Sequence, residues 1–353
     1  EQGKRVPHEE SQQEKTAGPA GAEPRGVLAM LRKLFGYRLS GVVSAAIVVV
    51  ILSSITSEYF LTPYNITIII RDLAFIGLVA LGQTMVLLTG EIDLSVGAVA
   101  GLCAVTAGVF MVQFHYPPFL TVFAGIGVGA LCGLINGLLV TKLRLNALVV
   151  TLGTMGIFSG LNLVVTRGKA ITGIPKQIYF LGQGIVLGVP MPLVIMVAVL
   201  VFISVLSAKT AFGRHLYAIG DNMEAARLVG IRADRIKATA FVISGALSAM
   251  AGILMVARLG SAQPSIGQVW QLPSIAAAVI GGVALTGGVG HPIGSIVGAV
   301  SISLLGEALR PLEILKWIVI PLLLILVMIY RPTGLIAFKE FDIRQVFGPK
   351  EVD

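Results

Sequence analysis

The stretch PFLTVFAGIGVGALCGLINGLLVT, residues 118–141, contains no charged side chain. About 20 apolar residues are enough for a helix to cross the hydrocarbon core of a bilayer. Comparable stretches recur from Leu39 onward, and in the whole chain 12% of residues are charged and 56% hydrophobic, whereas a soluble domain carries about 25% charged residues. Because lipid offers the backbone no hydrogen-bond partner, these stretches must be helices. The sequence therefore predicts an all-α, polytopic membrane protein.

We expect about ten transmembrane helices, some of them broken or re-entrant. They are predicted at residues 39–57, 64–89, 94–112, 118–141, 147–165, 186–207, 238–259, 272–286, 294–309 and 316–330. Residues 1–38 are predicted to form a cytoplasmic arm, partly disordered because residues 1–26 have almost no large apolar side chains. The transmembrane domain is expected at 39–335 and a cytoplasmic tail at 336–353. No signal-peptide core follows the arm, so no cleaved leader is expected.

The lysine and arginine residues indicate the orientation, because cytoplasmic loops carry an excess of them. Most lie before the first predicted span, after the fourth, after the sixth and after the last: Arg32, Lys33, Arg38, Lys142, Arg144, Lys209, Arg214, Arg227, Arg232, Arg235, Lys237, Arg331, Lys339 and Arg344. The predicted spans put all of these on one side, which predicts that both termini are cytoplasmic. Arg167, Lys169 and Lys176, in the loop after the fifth span, are the exception.

Composition also argues against several functional classes. The net charge of +8 comes from residues at the ends of apolar stretches, so nucleic-acid binding is not expected. Cys103 and Cys132 lie inside apolar stretches, where buried, inert thiols are expected rather than a disulfide. The four histidines are scattered, so no metal site is expected.

Glycines recur every four residues in the stretch quoted above, at Gly125, Gly129, Gly133 and Gly137. This spacing places a stripe without side chains on one face of a helix, and such stripes allow helix backbones to approach closely. Tight packing within one bundle and a seam between two copies are both consistent with the stripe.

Two acidic residues interrupt the apolar pattern in TGEIDLSVG, residues 89–97. Thr89 and Gly90 followed by Glu91, Asp93 and Ser95 predict a chain that leaves one helix and starts another, with Asp93 or Ser95 capping the second. Charges at membrane depth face a bundle interior or a water-filled cavity. The acids are therefore interpreted either as part of a translocation path or gate, or as caps and ion-pair partners.

Four further polar positions have a local or open interpretation. Arg71 is the nearest basic partner in sequence for the two acids. Asn136 and Asn162 are amides in the middle of predicted helices, which could contact a solute in the path or form interhelical hydrogen bonds. Glu307 is expected to pair with Arg310, three residues later.

A faint internal repeat relates two such interruptions. LLTGEIDLSVGAVAG, residues 87–101, aligns with ALTGGVGHPIGSIVGAV, residues 284–300. Paired broken segments in the two halves of a chain point to a transport site. The predicted spans make the repeats parallel, whereas one re-entrant span would make them inverted, and both alternatives stay open.

A long polar loop, residues 208–237, follows the sixth predicted span. Within it NMEAARLVGI, residues 222–231, predicts a short helix with Asn222 as N-cap, Glu224 in the first turn and Gly230 after the end. A connection between spans needs no such helix, so we expect this loop to dock onto another protein.

At this point the sequence resembles a known family. EAARLVG (224–230), TGEIDLSVG (89–97), VVTLGTM (149–155) and GGVALTGGVGHPIGSIVGA (281–299) occur together, and in this family's order, in the monosaccharide permeases of bacterial ABC importers, which include ribose, xylose, arabinose and galactose permeases. The resemblance covers about residues 40–335. The common family form has Gly where Glu91 stands, and Glu91 together with FGRHLYAIGDNMEAARLVGI (212–231) looks most similar to the xylose permeases.

The resemblance implies a transport subunit without catalysis of its own. It implies a dimer, expected to be a homodimer, in the bacterial inner membrane, which receives a monosaccharide from a periplasmic or surface binding protein. A separate ATPase subunit would hold ATP and Mg, and this chain would bind no cofactor, consistent with the lack of a G-x-x-x-x-G-K-[ST] phosphate loop. The residues that it implies couple to that subunit are Gly220, Asn222, Glu224, Ala225, Ala226, Leu228 and Gly230.

Two other classes remain open at the level of sequence. A secondary transporter driven by an ion gradient could use the two acids of the first interruption, although it would not need the docking loop. A membrane receptor or scaffold would use the arm and the loop to bind partners without transport.

Overall fold

The computed structural model of the chain describes residues 57–310, together with 47–48, 50–51, 53–55, 318–322 and 325. The predicted arm and tail lie outside the described residues, as do most of the first and last predicted spans. Within the described part, the prediction of an all-α membrane protein is confirmed. Its regular structure is helical apart from one short β-hairpin and an isolated bridge.

In the described part of the chain, five helices are long and apolar enough to cross a membrane: α1 (Pro63–Leu87), α3 (Pro118–Thr141), α4 (Ala147–Thr166), α6 (Met191–Lys209) and α9 (Ala233–Leu259). Three further apolar helices are shorter: α2 (Val96–Val112), α10 (Gln271–Ile280) and α11 (Pro292–Ala308). The remaining elements are a 3-10 turn (Lys176–Ile178), α5 (Tyr179–Gln183), strands β1 (Ile185–Val186) and β2 (Val189–Pro190), α7 (Ala211–Asp221) and α8 (Met223–Leu228).

Local sequence explains where these helices begin. Side chains of Thr62, Asn146 and Thr210 accept backbone N–H groups at the starts of α1, α4 and α7. Proline occupies the first turn of α1, α3, α6 and α11, where its missing N–H costs nothing. The predicted bounds of α3 are those observed.

Helix α9 lies at the centre of the bundle and packs against α1, α2 and α3. The predicted glycine stripe of α3 faces it: a Cβ added to Gly129 or Gly133 would overlap the carbonyl oxygen of Gly245 or Phe241. The two backbones therefore touch, as small residues allow in membranes. This stripe is buried inside one chain, which leaves no room for a second copy against it.

The loops divide between two ends of the bundle. Helices α7 and α8 lie at one end, which is called the α7 end here, beside the end of α1 and the starts of α2 and α11. The β-hairpin and the end of α9 lie at the other, the far end. Predicted span 186–207 begins later because the hairpin occupies residues 185–190, and α7 was not predicted as a helix of its own.

The chain between α9 and α10 is not helical. It leaves α9 at Gly260, whose φ of +66° suits glycine, and runs along α2 from Gly108 to Gly97 as a series of turns. An Ile266 carbonyl lies 2.7 Å from where a Gly101 Cβ would stand. One crossing therefore combines a non-helical segment, 260–270, with the ten-residue helix α10, where the sequence predicts a helix at 272–286.

Candidate coupling joint and helix breaks

The first break separates α1, which ends at Leu87, from α2, which begins at Val96. Asp93 is buried in it, and one carboxylate oxygen accepts the Ser95 backbone N–H at 2.9 Å and the Ser95 hydroxyl at 2.6 Å. The other oxygen accepts the Ser244 hydroxyl at 3.0 Å. The Gln83 side-chain amide donates to the Asp93 carbonyl at 3.0 Å and accepts its N–H at 3.2 Å. Asp93 thus ties α1, the start of α2 and α9 together.

Glu91 has a partner that the sequence did not reveal. The Lys237 ammonium lies 2.6 Å from its carboxylate, and the two are 146 residues apart. The expectation that Arg71 pairs with the acids is wrong, because Arg71 lies in the first half of α1, far from the break, and donates to the Gln183 carbonyl at 2.8 Å. Glu91 therefore ties the break to the first turns of α9.

The two amides lie in different surroundings. Asn136 of α3 donates to the Ser95 hydroxyl at 2.8 Å and so extends the Asp93 network. Asn162 of α4 donates to the Pro264 carbonyl, in the segment that precedes α10, at 2.8 Å. Both amide oxygens are buried and have no hydrogen-bond partner among the described residues. Asp93, Ser95 and Asn136 are brought together, whereas Glu91 lies nearer the α7 end and Asn162 nearer the far end.

The second break, between α10 and α11, meets the first. The Gly288 N–H donates to the Leu88 carbonyl at 3.0 Å, and a Gly90 Cβ would stand 3.1 Å from the Thr286 carbonyl. His291 caps α11 by accepting the Ile293 N–H at 3.2 Å. Both breaks lie at the α7 end and both lead into helices that run toward the far end, which is the parallel arrangement of the repeat.

Helix α7 packs against both breaks at the point where they meet. A Cβ on Gly220 would overlap both the Leu88 carbonyl and the Gly288 nitrogen, so the three backbones are in direct contact. The Tyr217 hydroxyl donates to the Gly290 carbonyl at 2.8 Å. Burial raises the pKa of the Tyr217 phenol to about 12, so this donor, which is protonated at neutral pH in any case, stays protonated well into the alkaline range. The contact of α7 with both breaks through these residues is called the coupling joint below.

The sequence pointed to only part of this joint. Gly220 was assigned to the docking loop, but it lies inside, against the breaks. Tyr217 was not singled out, since nothing in its local sequence indicates a partner on Gly290. The paired glycines of the repeat, Gly90 and Gly287, were the available signal, and both have positive φ.

The short helix predicted in the loop is present as α8. The Asn222 side chain accepts the Ala225 N–H at 2.9 Å, Glu224 lies in the first turn, and Gly230 follows the helix with φ +84°. Ala226 is buried against α7 and the start of α9. Leu228, in contrast, is 89% exposed and Val229 77% exposed. One face of α8 is therefore fixed to the chain while its apolar end projects outward.

Other expectations from the sequence can be placed directly. Glu307 and Arg310 form the predicted ion pair at 3.0 Å. Cys103 and Cys132 are free and buried. Across the described residues no group of three or more His, Cys, Asp or Glu side chains is arranged to hold a metal.

Comparison with known proteins identifies the relatives of this chain. Residues 65–328 match the family model described as "Branched-chain amino acid transport system / permease component". The ribose import permease protein of Bacillus subtilis (strain 168) is 42% identical over 76% of this chain and 83% of its own length. The fructose import permease protein of Rhizobium meliloti is 35% identical over 80% and 82%. The autoinducer 2 import system permease protein of Escherichia coli (strain K12 / DH10B) is 36% identical over 77% and 80%.

Proposed function

The chain belongs to this family of permease components, and from that membership we propose that it carries a monosaccharide across the membrane with energy from ATP hydrolysed on a separate subunit. It is a multi-pass permease subunit of an ABC importer. Membership and fold both fit the proposal, because the described helices form a transmembrane bundle with a separate folded segment, α7 and α8, at one end.

The proposal that an ATPase subunit docks at the α7 end rests on the exposed end of α8. Leu228 and Val229 are among the most exposed large apolar side chains in the described residues. Solvent exposure of such side chains is unfavourable unless a partner covers them. Arg227 precedes them in the sequence and Arg232 follows them, and Arg227 is paired to Asp234 at 3.0 Å. We infer that α8 inserts into a groove of the ATPase subunit.

The coupling joint supplies a route from that interface into the bundle. Helix α8 is fixed to α7, and α7 touches both helix breaks through Gly220 and Tyr217. A displacement of α8 by the ATPase subunit would therefore move α7, and with it the ends of α1 and α10 and the starts of α2 and α11. Rigid elements in backbone contact transmit such a displacement without large losses.

The proposed substrate is a monosaccharide. The three relatives described above import ribose, fructose and autoinducer 2 according to their names. We propose a pentose such as xylose, on the likeness of residues 212–231 to xylose permeases. The remaining partners are a sugar-binding protein at the far end and a second copy of this chain, with both termini in the cytoplasm of a bacterium and the bundle in its inner membrane. ATP and Mg would be held by the ATPase subunit.

A secondary transporter is the alternative. In such a carrier the intramembrane acids bind or release the coupling ion. Here Glu91 is paired with Lys237 and Asp93 is enclosed by hydroxyl and amide donors. No observation in the described residues favours this alternative over the importer.

The docking proposal is tested by placing a charge on the exposed end of α8. Leu228→Asp and Val229→Asp should each release the ATPase subunit during purification and abolish ATP-dependent sugar uptake. Leu187→Asp is the matched control, because Leu187 is 100% exposed at the far end and should leave the ATPase subunit bound. Retention of the subunit in both α8 variants would show that α8 is not its docking site.

A further inference from the structure

The segment 260–270 runs along the bundle as a series of turns rather than as a helix, a conformation that membranes rarely allow. It lies along α2 between Gly108 and Gly97, a length of about 16 Å at helical rise. Non-helical backbone is tolerated at membrane depth only where protein buries it or where it lines a water-filled cavity. One face of this segment meets the first condition, burial in protein, and the opposite face is suited to the second, access to water.

One face is fixed in the protein. The backbones of Ile171 and Ala262 exchange two hydrogen bonds, at 2.8 and 2.9 Å, and the Pro264 carbonyl accepts the Asn162 amide. Ile266 and Trp270 are buried in the core. The segment is therefore held in place along its length and cannot be treated as a loose loop.

The opposite face carries neutral polar side chains next to two apolar ones. Ser265 and Gln268 are exposed, Gln271 is half-buried where α10 begins, and Val269 and Leu272 are exposed beside them. Among the described residues, the Gln268 amide nitrogen donates only to the Pro264 carbonyl, at 3.3 Å, and that of Gln271 contacts only the Met155 sulfur, at 3.7 Å. Exposure of amides and hydroxyls to hydrocarbon costs several kcal/mol for each group. The three polar side chains are therefore suited to water, or to a solute that replaces water, rather than to lipid.

Helix α4 forms the adjoining surface. Its residues Gly153, Gly156 and Gly160 are exposed, and a Cβ added to any of them would have no heavy atom within 4 Å. Unlike the stripe of α3, this stripe packs against no other part of the chain that the structure describes. It leaves open space directly beside the polar face of segment 260–270, since Met155 of α4 contacts Gln271.

We propose that Ser265, Gln268 and Gln271 contact the transported solute. The proposal rests on the proposed function and adds where the solute passes and what recognises it. Residues 260–272 contain no charged side chain, and amide groups both donate and accept hydrogen bonds. A face of this kind suits an uncharged polyhydroxylated molecule, and it offers no counter-ion to an amino acid or a phosphate ester.

Cysteine labelling tests whether water reaches the face, with or without transport. The native Cys103 and Cys132 are 0% and 4% exposed, so they give a low background. Ser265→Cys and Gln268→Cys should react with a water-soluble, membrane-impermeant methanethiosulfonate at least roughly tenfold faster than Val201→Cys, which lies on an exposed apolar face of α6. Equal rates at Gln268→Cys and Val201→Cys would overturn the proposal.

Transport by the complete importer in proteoliposomes tests recognition, with D-ribose and D-xylose as probes. Gln268→Ala and Gln271→Ala should lower uptake by about fivefold to tenfold and lower the number of sugar molecules moved per ATP hydrolysed. A variant that merely folds badly would lower uptake and ATP hydrolysis together. Gln177→Ala, exposed outside the crossing, is the control and should behave like the parent.

The outcomes separate the two proposals. If the parent shows no ATP-dependent uptake of either sugar, the proposed function fails, while the labelling rates still report on the face. If the parent transports normally and both glutamine variants match it, the further proposal fails and the proposed function stands.

Discussion

At the scale of single residues, Asp93 shows how a buried acid can be retained in a membrane bundle. Its carboxylate accepts three hydrogen bonds, from the backbone and hydroxyl of Ser95 and from the hydroxyl of Ser244. Removing one partner of a buried hydrogen bond costs about 1–3 kcal/mol, because the other is left unsatisfied. The acid therefore fixes the position of α9 relative to the first break.

Replacement of Asp93 should weaken the bundle and transport together. Asp93→Ala leaves three buried hydrogen-bond donors without an acceptor, so the purified protein should unfold at a lower temperature and uptake should fall. Asp93→Asn keeps a side-chain oxygen and should lose less. Glu58→Ala, outside the helices, is the control. Normal thermal stability and uptake in Asp93→Ala would reduce this residue to a dispensable cap.

Tyr217 is expected to affect coupling rather than folding. Tyr217→Phe removes the 2.8 Å hydrogen bond to the Gly290 carbonyl while keeping the ring, so the link between α7 and the second break weakens by about 1–3 kcal/mol. The measurement is sugar moved per ATP hydrolysed, which should fall while the ATPase subunit stays bound. The same substitution at Tyr116, which is half exposed at the far end, should change neither quantity.

Residue contacts could be predicted from the sequence where they are local. Asn222 caps α8 and Glu307 pairs with Arg310 over three residues, and both were predicted because helix geometry fixes such neighbours. The Lys237 partner of Glu91 was missed for the opposite reason. Only the packing of α9 against the first break brings them together.

At the scale of elements, glycine stripes on α3 and α4 have opposite surroundings. A Cβ on Gly133 would overlap the Phe241 carbonyl, whereas a Cβ on Gly156 would meet nothing within 4 Å. Identical substitutions at the two positions therefore separate the effect of helix packing from that of helix propensity.

We expect Gly133→Ala to destabilise the purified protein by about 1–3 kcal/mol, because the α3 and α9 backbones must separate. Gly156→Ala should leave stability unchanged or raise it by about 0.5–1 kcal/mol, since alanine favours a helix over glycine. Thermal unfolding in detergent measures both. Equal stabilities of the two variants would contradict the close packing of α3 on α9.

Helices could be predicted from the sequence where one uninterrupted apolar stretch forms one helix, as for α3 and α4. The crossing at 260–280 was predicted only in part, because its residues are apolar enough for a helix while Gly260, Pro264 and Gly267 favour turns. Which tendency wins depends on α2, whose glycines allow the non-helical backbone to lie close. That information is in another part of the chain.

At the scale of the whole molecule, the coupling joint joins the two halves of the repeat to α7 and, through it, to α8, the proposed docking segment. Gly288 lies between the first break and the end of α7, and a Cβ there would stand 2.7 Å from the Asp221 nitrogen. Gly168 has the same φ of +72°, with nothing within 4 Å of its Cβ position. Gly288 and Gly168 therefore have the same backbone conformation, but only Gly288 has other atoms close to the position of an added Cβ.

Gly288→Ala should uncouple ATP hydrolysis from uptake, because α7 is forced away from both breaks. Gly168→Ala carries the same conformational cost, of order 1 kcal/mol, and should transport like the parent. Uptake and ATP hydrolysis are measured side by side in proteoliposomes. Equal uptake by the two variants would mean that α7 and the breaks move independently.

The coupling joint is made largely of main chain: the carbonyl of Leu88, the N–H of Gly288 and the bare α-carbon of Gly220. Main-chain groups are the same in every amino acid, so this contact cannot distinguish one transported molecule from another. Choice of cargo must be made elsewhere, by side chains that the moving parts do not depend on. A chain organised in this way can change what it carries through a few substitutions and leave its machinery untouched.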